Sequence, residues 1–132
     1  MAKKNLDIKT KRRYALLATR WCRENMGINK SRKDLPKVSV RINFVKEETE
    51  RFISGVFYAQ QNKIIVYDKN CLTIEEVVST VIHEYTHYLQ SDVKYMELYK
   101  KYYYKNHPYE KEARKNEELF THLCIRKIKD LV

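Results

Sequence analysis

The segment His83-Glu84-Tyr85-Thr86-His87 constrains this chain more than any other. It is an H-E-x-x-H pattern, and its surroundings read as helix. Thr73-Ile74-Glu75-Glu76 has the form of a capping box, with Thr as N-cap and Glu at the third helical position. Val77, Val78, Val81, Ile82, Tyr85 and Leu89 follow at helical spacing. At ~100° per residue, positions four apart sit ~40° from each other on one helix face. His83 and His87 can therefore offer two imidazole nitrogens to one metal ion. Glu84 flanks that face, placed to take a proton from water beside the metal. The competing reading is two ordinary, partly buried helix histidines. With four His and 17 Asp+Glu in the chain, shuffling yields such a motif in well under ~1% of sequences, so chance is the weaker account.

Two histidines do not complete a catalytic zinc site, which usually has three protein ligands and one open position. The span after His87 reads Tyr88-Leu89-Gln90-Ser91-Asp92-Val93, so the third His of the metzincin pattern is missing. A carboxylate on a following helix is the other solution. Pro108 suits the first turn of that helix. Tyr109, Ala113, Phe120, Leu123 and Leu131 give it an apolar stripe. Glu112 continues one edge of the stripe with Asn116, Leu119 and Leu123. Glu110 aligns instead with Arg114, Glu117 and Thr121 on a polar face. A carboxylate directed inward needs a partner, and a metal supplies one. Glu112 is therefore expected as the third ligand in preference to Glu110, which suits an acidic helix N-terminus.

These residues resemble the gluzincin group of zinc metallopeptidases, through H-E-x-x-H at His83–His87 and a later-helix Glu at Glu112. The Glu112-Ala113 step is similar to the E-A element of small repressor-cleaving peptidases of mobile elements and of certain integral-membrane peptidases. The size is similar to that of the minigluzincins, soluble one-domain members of the group. The resemblance extends over about residues 36–125 and rests on two short motifs. It implies a Zn2+ cofactor held by His83, His87 and Glu112, with Glu84 as general base. In gluzincins an Asp one turn after the ligand Glu often orients a ligand His, and the matching position here is Asn116. An amide can accept a hydrogen bond from an imidazole N–H but adds no charge, so this departs from the family pattern. No motif assigns a transition-state stabilising residue; His107, Tyr109 and the Tyr102-Tyr103-Tyr104 run are the candidates.

A chain of 132 residues with 43% hydrophobic content fits one domain, residues 1–132, with a modest core. Two Gly and two Pro argue against long linkers. No apolar run approaches the ~18 residues of a membrane span, and the N-terminus has no apolar region of a secretory signal. Cys22, Cys71 and Cys124 are scattered and odd in number, which is not a disulfide framework. Cys22 and Cys124 fall on apolar helix faces and are expected as buried free thiols. A reducing, cytoplasmic setting follows, and a small Lys-rich chain suits a bacterium or a phage. The net charge of +10 favours acidic partners by steering. Its densest stretch, Lys9-Thr10-Lys11-Arg12-Arg13, reads first as a solvated face and second as a patch for nucleic acid or an acidic protein.

The expected class is α+β: an N-terminal helix, a small three-stranded mostly antiparallel sheet, the H-E-x-x-H helix and C-terminal helices. Residues 7–26 read as an amphipathic helix, with Asp7 as cap, Gly27 as terminator, and Ile8, Ala15, Leu16, Ala18, Trp21, Cys22 and Met26 inward. Val38, Val40, Ile42 and Phe44 alternate with polar residues in a half-buried strand. Residues 52–58 and 63–67 read as a hairpin around Gln60-Gln61-Asn62, where Gly55 marks a bulge or a close backbone approach. Zinc peptidases commonly hold substrate as an added strand on such an edge. Residues 93–105 interleave Tyr and Lys, first as a helix packed over the site and second as a base-stacking surface.

The reaction expected is peptide-bond hydrolysis, endopeptidic rather than exopeptidic, on a peptide or protein substrate. Glu84 takes the proton of a metal-activated water and passes it to the leaving amine. The alternative is a non-enzymatic, basic, zinc-stabilised protein that binds nucleic acid or an acidic partner. A third reading is a latent peptidase silenced by a terminal segment within residues 1–35.

Overall fold

Local capping decides where the helices begin. The Asp7 carboxylate accepts from Thr10 N–H at 2.7 Å, and helix α1 runs Ile8–Met26. It stops where Gly27 takes a φ of 91° and its N–H returns to the Arg23 carbonyl at 3.2 Å, a backbone that glycine adopts without strain. Helix α2 runs Ile74–Gln90. Thr73 Oγ1 accepts from Glu76 N–H at 3.1 Å and donates to Glu76 Oε1 at 3.1 Å, so the capping residues are those the sequence indicates. Helix α3 runs Pro108–Ile128. The computed structural model describes residues 6–32, 34–42, 53–91 and 108–132.

Among the described residues three strands complete an α+β fold: β1 (Lys37–Arg41), β2 (Gly55–Tyr58) and β3 (Lys63–Tyr67), in the order β1-β3-β2. β2 and β3 form the expected hairpin, with Gly55 opposite Val66 and Tyr58 opposite Lys63. Its turn lacks Gly, and Asn62 takes the left-handed position at φ 50°, which Asn tolerates better than most residues. The sheet is mixed rather than mostly antiparallel, because β1 lies parallel to β3 with Val40 opposite Val66. Asn43, Phe44, the charged stretch at 46–50, Phe52 and the Tyr/Lys-rich segment 93–105 fall outside the described residues.

Helix α2 is the central element, in contact with α1, α3, β2 and β3. Val77, Val78, Val81, Ile82, Tyr85 and Tyr88 are fully buried along it. α1 covers this core with Ala15, Ala18, Trp21 and Cys22, while Leu16, expected inward, is 44% exposed. The loop after α1 is pinned to the C-terminal end of α2. Asn29 Nδ2 donates to the Tyr88 carbonyl at 2.7 Å and the Ser91 carbonyl at 3.2 Å, and Tyr85 O–H donates to the Gly27 carbonyl. These bonds satisfy carbonyls that the end of a helix leaves without internal partners.

α3 packs on α2 through a face that shares Ala113 with the apolar stripe but leaves its leucines outside. Its buried residues are Glu110, Ala113, Thr121, Cys124 and Ile128, whereas Leu119, Leu123 and Leu131 are exposed. Three of those buried side chains are small, which lets two helix backbones come close. The larger leucines would hold them apart.

Candidate metal centre

The H-E-x-x-H residues lie mid-helix in α2, as their chemistry requires. The rings of His83 and His87 have centroids 5.0 Å apart and meet at 72°. One donor atom from each of His83, Glu84 and His87 lies within 4.8 Å of the others. The carboxylate that stands directly on the two imidazoles is Glu110, from the first turn of α3. Glu110 Oε1 is 2.5 Å from His83 Nε2, and Glu110 Oε2 is 3.0 Å from His87 Nε2. Glu110 is 1% exposed.

The structure therefore brings Glu110 onto the imidazoles in the place where the sequence leads us to expect Glu112. Glu112 is exposed and accepts a hydrogen bond from Gln90 Nε2, on the flank of the cluster. The reason is the rotation of α3 by its small-residue face, which turns Glu110 inward and Glu112 outward. The same rotation displaces Asn116. Its Nδ2 donates to Thr86 Oγ1 at 3.0 Å, so it ties α3 to α2. Of the other candidates, Tyr109 is half-buried and its carbonyl accepts from Gln90 Nε2 at 3.1 Å. His107 and Tyr102, Tyr103 and Tyr104 lie outside the described residues.

Two further residues complete the arrangement. His83 Nδ1 lies 3.0 Å from Glu117 Oε2, and His87 Nδ1 lies 2.9 Å from Gln90 Oε1. Both partners are acceptors, so each Nδ1 carries a proton. The Gln90 amide orientation is fixed from its other end, where Nε2 donates to two acceptors, the Tyr109 carbonyl and Glu112 Oε1. Each Nε2, which presents a lone pair whenever its ring is neutral, thereby faces the Glu110 carboxylate. Acceptors that converge in this way need a proton or a cation between them. The donor set, two imidazoles and one carboxylate, is that of a catalytic zinc site, so the residues fit the metal.

Without metal, protons fill the same role. Burial would lower His83, but hydrogen bonds to Glu110 and Glu117 outweigh it and hold the ring at about 10. Burial would raise Glu110, but hydrogen bonds to His83 and His87 hold it well below the usual carboxylate range. Glu84 is 7% exposed, and burial pushes it up against the opposing pull of His83 and His87. Edge strand β2 passes close beside it. A Cβ built on Gly55 would stand 3.7 Å from Glu84 Cγ, 2.5 Å from Thr80 Cγ2 and 2.7 Å from the Ile65 carbonyl. Gly55 thus marks a close backbone approach.

Sequence reasoning left Glu117 and Gln90 unassigned. Glu117 lies two helical turns after Glu110, a spacing that shares one face. That alignment is visible in the sequence but reads as a solvated surface. Gln90 stands three residues after His87, within reach along a helix, and only the rotation of α3 reveals what its amide holds.

Residues 29–127, most of the chain, match the family described as Protein of unknown function (DUF3920), and the chain belongs to it. No curated protein and no solved structure matches the chain.

Proposed function

We propose that this member of the family is a zinc-dependent metallopeptidase that hydrolyses peptide bonds. The observation that carries the reading is the convergence of His83 Nε2 and His87 Nε2 on the Glu110 carboxylate, with both Nδ1 atoms anchored by acceptors. His83, His87 and Glu110 would hold Zn2+. When bound, zinc supplies Lewis acidity, polarising a carbonyl and making water a nucleophile near neutral pH. Glu84 takes the proton of the attacking water at its carboxylate and delivers it to the leaving amine. Its burial favours this exchange, because a carboxylate with a raised pKa is the stronger base. Glu117 fixes the tautomer of His83 and adds negative charge behind it, the part the sequence suggested for Asn116.

An extended peptide fits as a fourth strand along β2, the sheet edge beside Glu84. Internal cleavage suits a substrate laid out in this way. Cys22, Cys71 and Cys124 are buried free thiols, which supports a reducing, cytoplasmic setting. No helix among the described residues is long and apolar enough to cross a membrane.

The test is elemental analysis of untagged protein purified without chelator. Wild type, Glu112→Ala and Glu84→Gln should each carry about one zinc per chain, as a single three-ligand site requires. His83→Ala and Glu110→Ala should carry none. Glu84→Gln should also lose peptide hydrolysis by at least ~10²–10⁴-fold, the usual weight of a general base. Folded wild-type protein that takes up no added zinc would overturn the proposal.

A further inference from the structure

The two imidazoles are held in different ways. His83 leans on a carboxylate, Glu117, whereas His87 leans on an amide, Gln90. That amide is also bound at its other end to the start of α3. Its Nε2 donates to the Tyr109 carbonyl and to Glu112 Oε1, on either side of Glu110 in sequence. Gln90 is buried, at 9% exposure. An amide is the smallest group able to do both tasks, since Oε1 accepts from the ring while Nε2 donates twice.

We infer that Gln90 is a positioning residue of the metal centre, setting the tautomer of His87 and the seat of the helix turn that carries Glu110. The inference rests on the metal-site reading above. Glu112 gains a role through it. The exposed carboxylate polarises the amide, and the amide passes a weaker negative pull to His87 than Glu117 gives His83. A hydrophobic side chain at position 90 would free the His87 ring to turn or to change tautomer. It would also leave the Tyr109 carbonyl without its donor from α2.

The experiment measures zinc and cobalt affinity by competition with a chromophoric chelator, together with the cobalt absorption spectrum and the melting of the metal-free protein. It compares wild type, Gln90→Leu, and the exchange Gln90→Glu combined with Glu112→Gln. The exchange keeps the pairings with His87 and between positions 90 and 112, swaps acid and amide, and gives up only the donation to the Tyr109 carbonyl. The introduced carboxylate accepts from His87 Nδ1–H and from the introduced amide. Gln90→Leu should bind metal ~10–100-fold more weakly, the usual cost of removing a partner behind a ligand histidine. The exchange should bind at least as tightly as wild type, because the acceptor behind His87 now carries full charge.

A merely structural clamp predicts the opposite for the exchange, which gives up the donation to the Tyr109 carbonyl. Weaker binding there would overturn the inference, even if Gln90→Leu fails to fold. Wild-type affinity in a folded Gln90→Leu would overturn it as well. Absence of metal binding in wild type would instead overturn the metal site itself.

Discussion

His83 sits between two carboxylates, and that makes the metal-free protein sensitive to alkali. Its ring is held at about 10 in the folded chain against an ordinary 6.5. A raised pKa contributes stability that is full below 6.5 and lost as pH climbs through 10. Glu110 is held below its ordinary 4.5, so its share is present above 4.5 and lost as pH falls from there. Protein kept in chelator should therefore melt highest between pH 4.5 and 6.5 and progressively lower toward pH 10. Thermal scans across that range check this, and a midpoint that stays level from 6.5 to 10 would remove the ion cluster from the account. Zinc bound as proposed would reverse the slope, because it requires deprotonated rings and competes with the same protons.

At the scale of elements, α2 was legible and α3 was legible only in part. A capping box, an apolar pattern and a motif all agree on α2, and the structure has it at Ile74–Gln90. For α3 the leucines mark the wrong side, although Ala113 is buried and Phe120 packs on Trp21. Leu119 and Leu123 are about half exposed, while the inward side is Ala113, Thr121 and Cys124, residues whose virtue is their size. The third carboxylate shifted with that face, from Glu112 to Glu110. Strand β1 could be recognised by alternation, but its parallel partner could not, since direction depends on a connection and not on a pattern. Gly55 was legible as a close approach and is now specific. A Cβ there would meet Thr80 Cγ2 at 2.5 Å and the Ile65 carbonyl at 2.7 Å. Gly55→Ala should cost about 1–3 kcal/mol in urea unfolding, as overpacking does. Adding Thr80→Ser should recover only part, because the backbone contact remains. An unchanged midpoint in Gly55→Ala would show that β2 can move away from α2 at no cost.

For the whole molecule the question is what α1 is for, since the family match begins only at residue 29. Helix α1 is bound into the fold at several points. Its buried Lys11 reaches Asp68 Oδ1 at 2.6 Å and the Asp68 carbonyl at 3.1 Å, and Arg13 donates to the Leu131 carbonyl at 2.8 Å. Ala18 and Cys22 are fully buried. A chain lacking residues 1–27 should therefore lose cooperative melting and near-ultraviolet circular dichroism. A folded, more active truncated chain would instead make this segment the silencer of a latent enzyme. The proposed metal centre spans the molecule in a related sense, drawing imidazoles from α2 and the Glu110 and Glu117 carboxylates from α3. The unfolded chain offers only scattered donors, so an ion that binds the native site draws the folding equilibrium toward it by mass action. At a hundredfold excess over its Kd the ion adds roughly 2.7 kcal/mol to stability. The amount of intact protein in a cell would then follow the supply of metal, and scarcity would remove the protein as well as its activity.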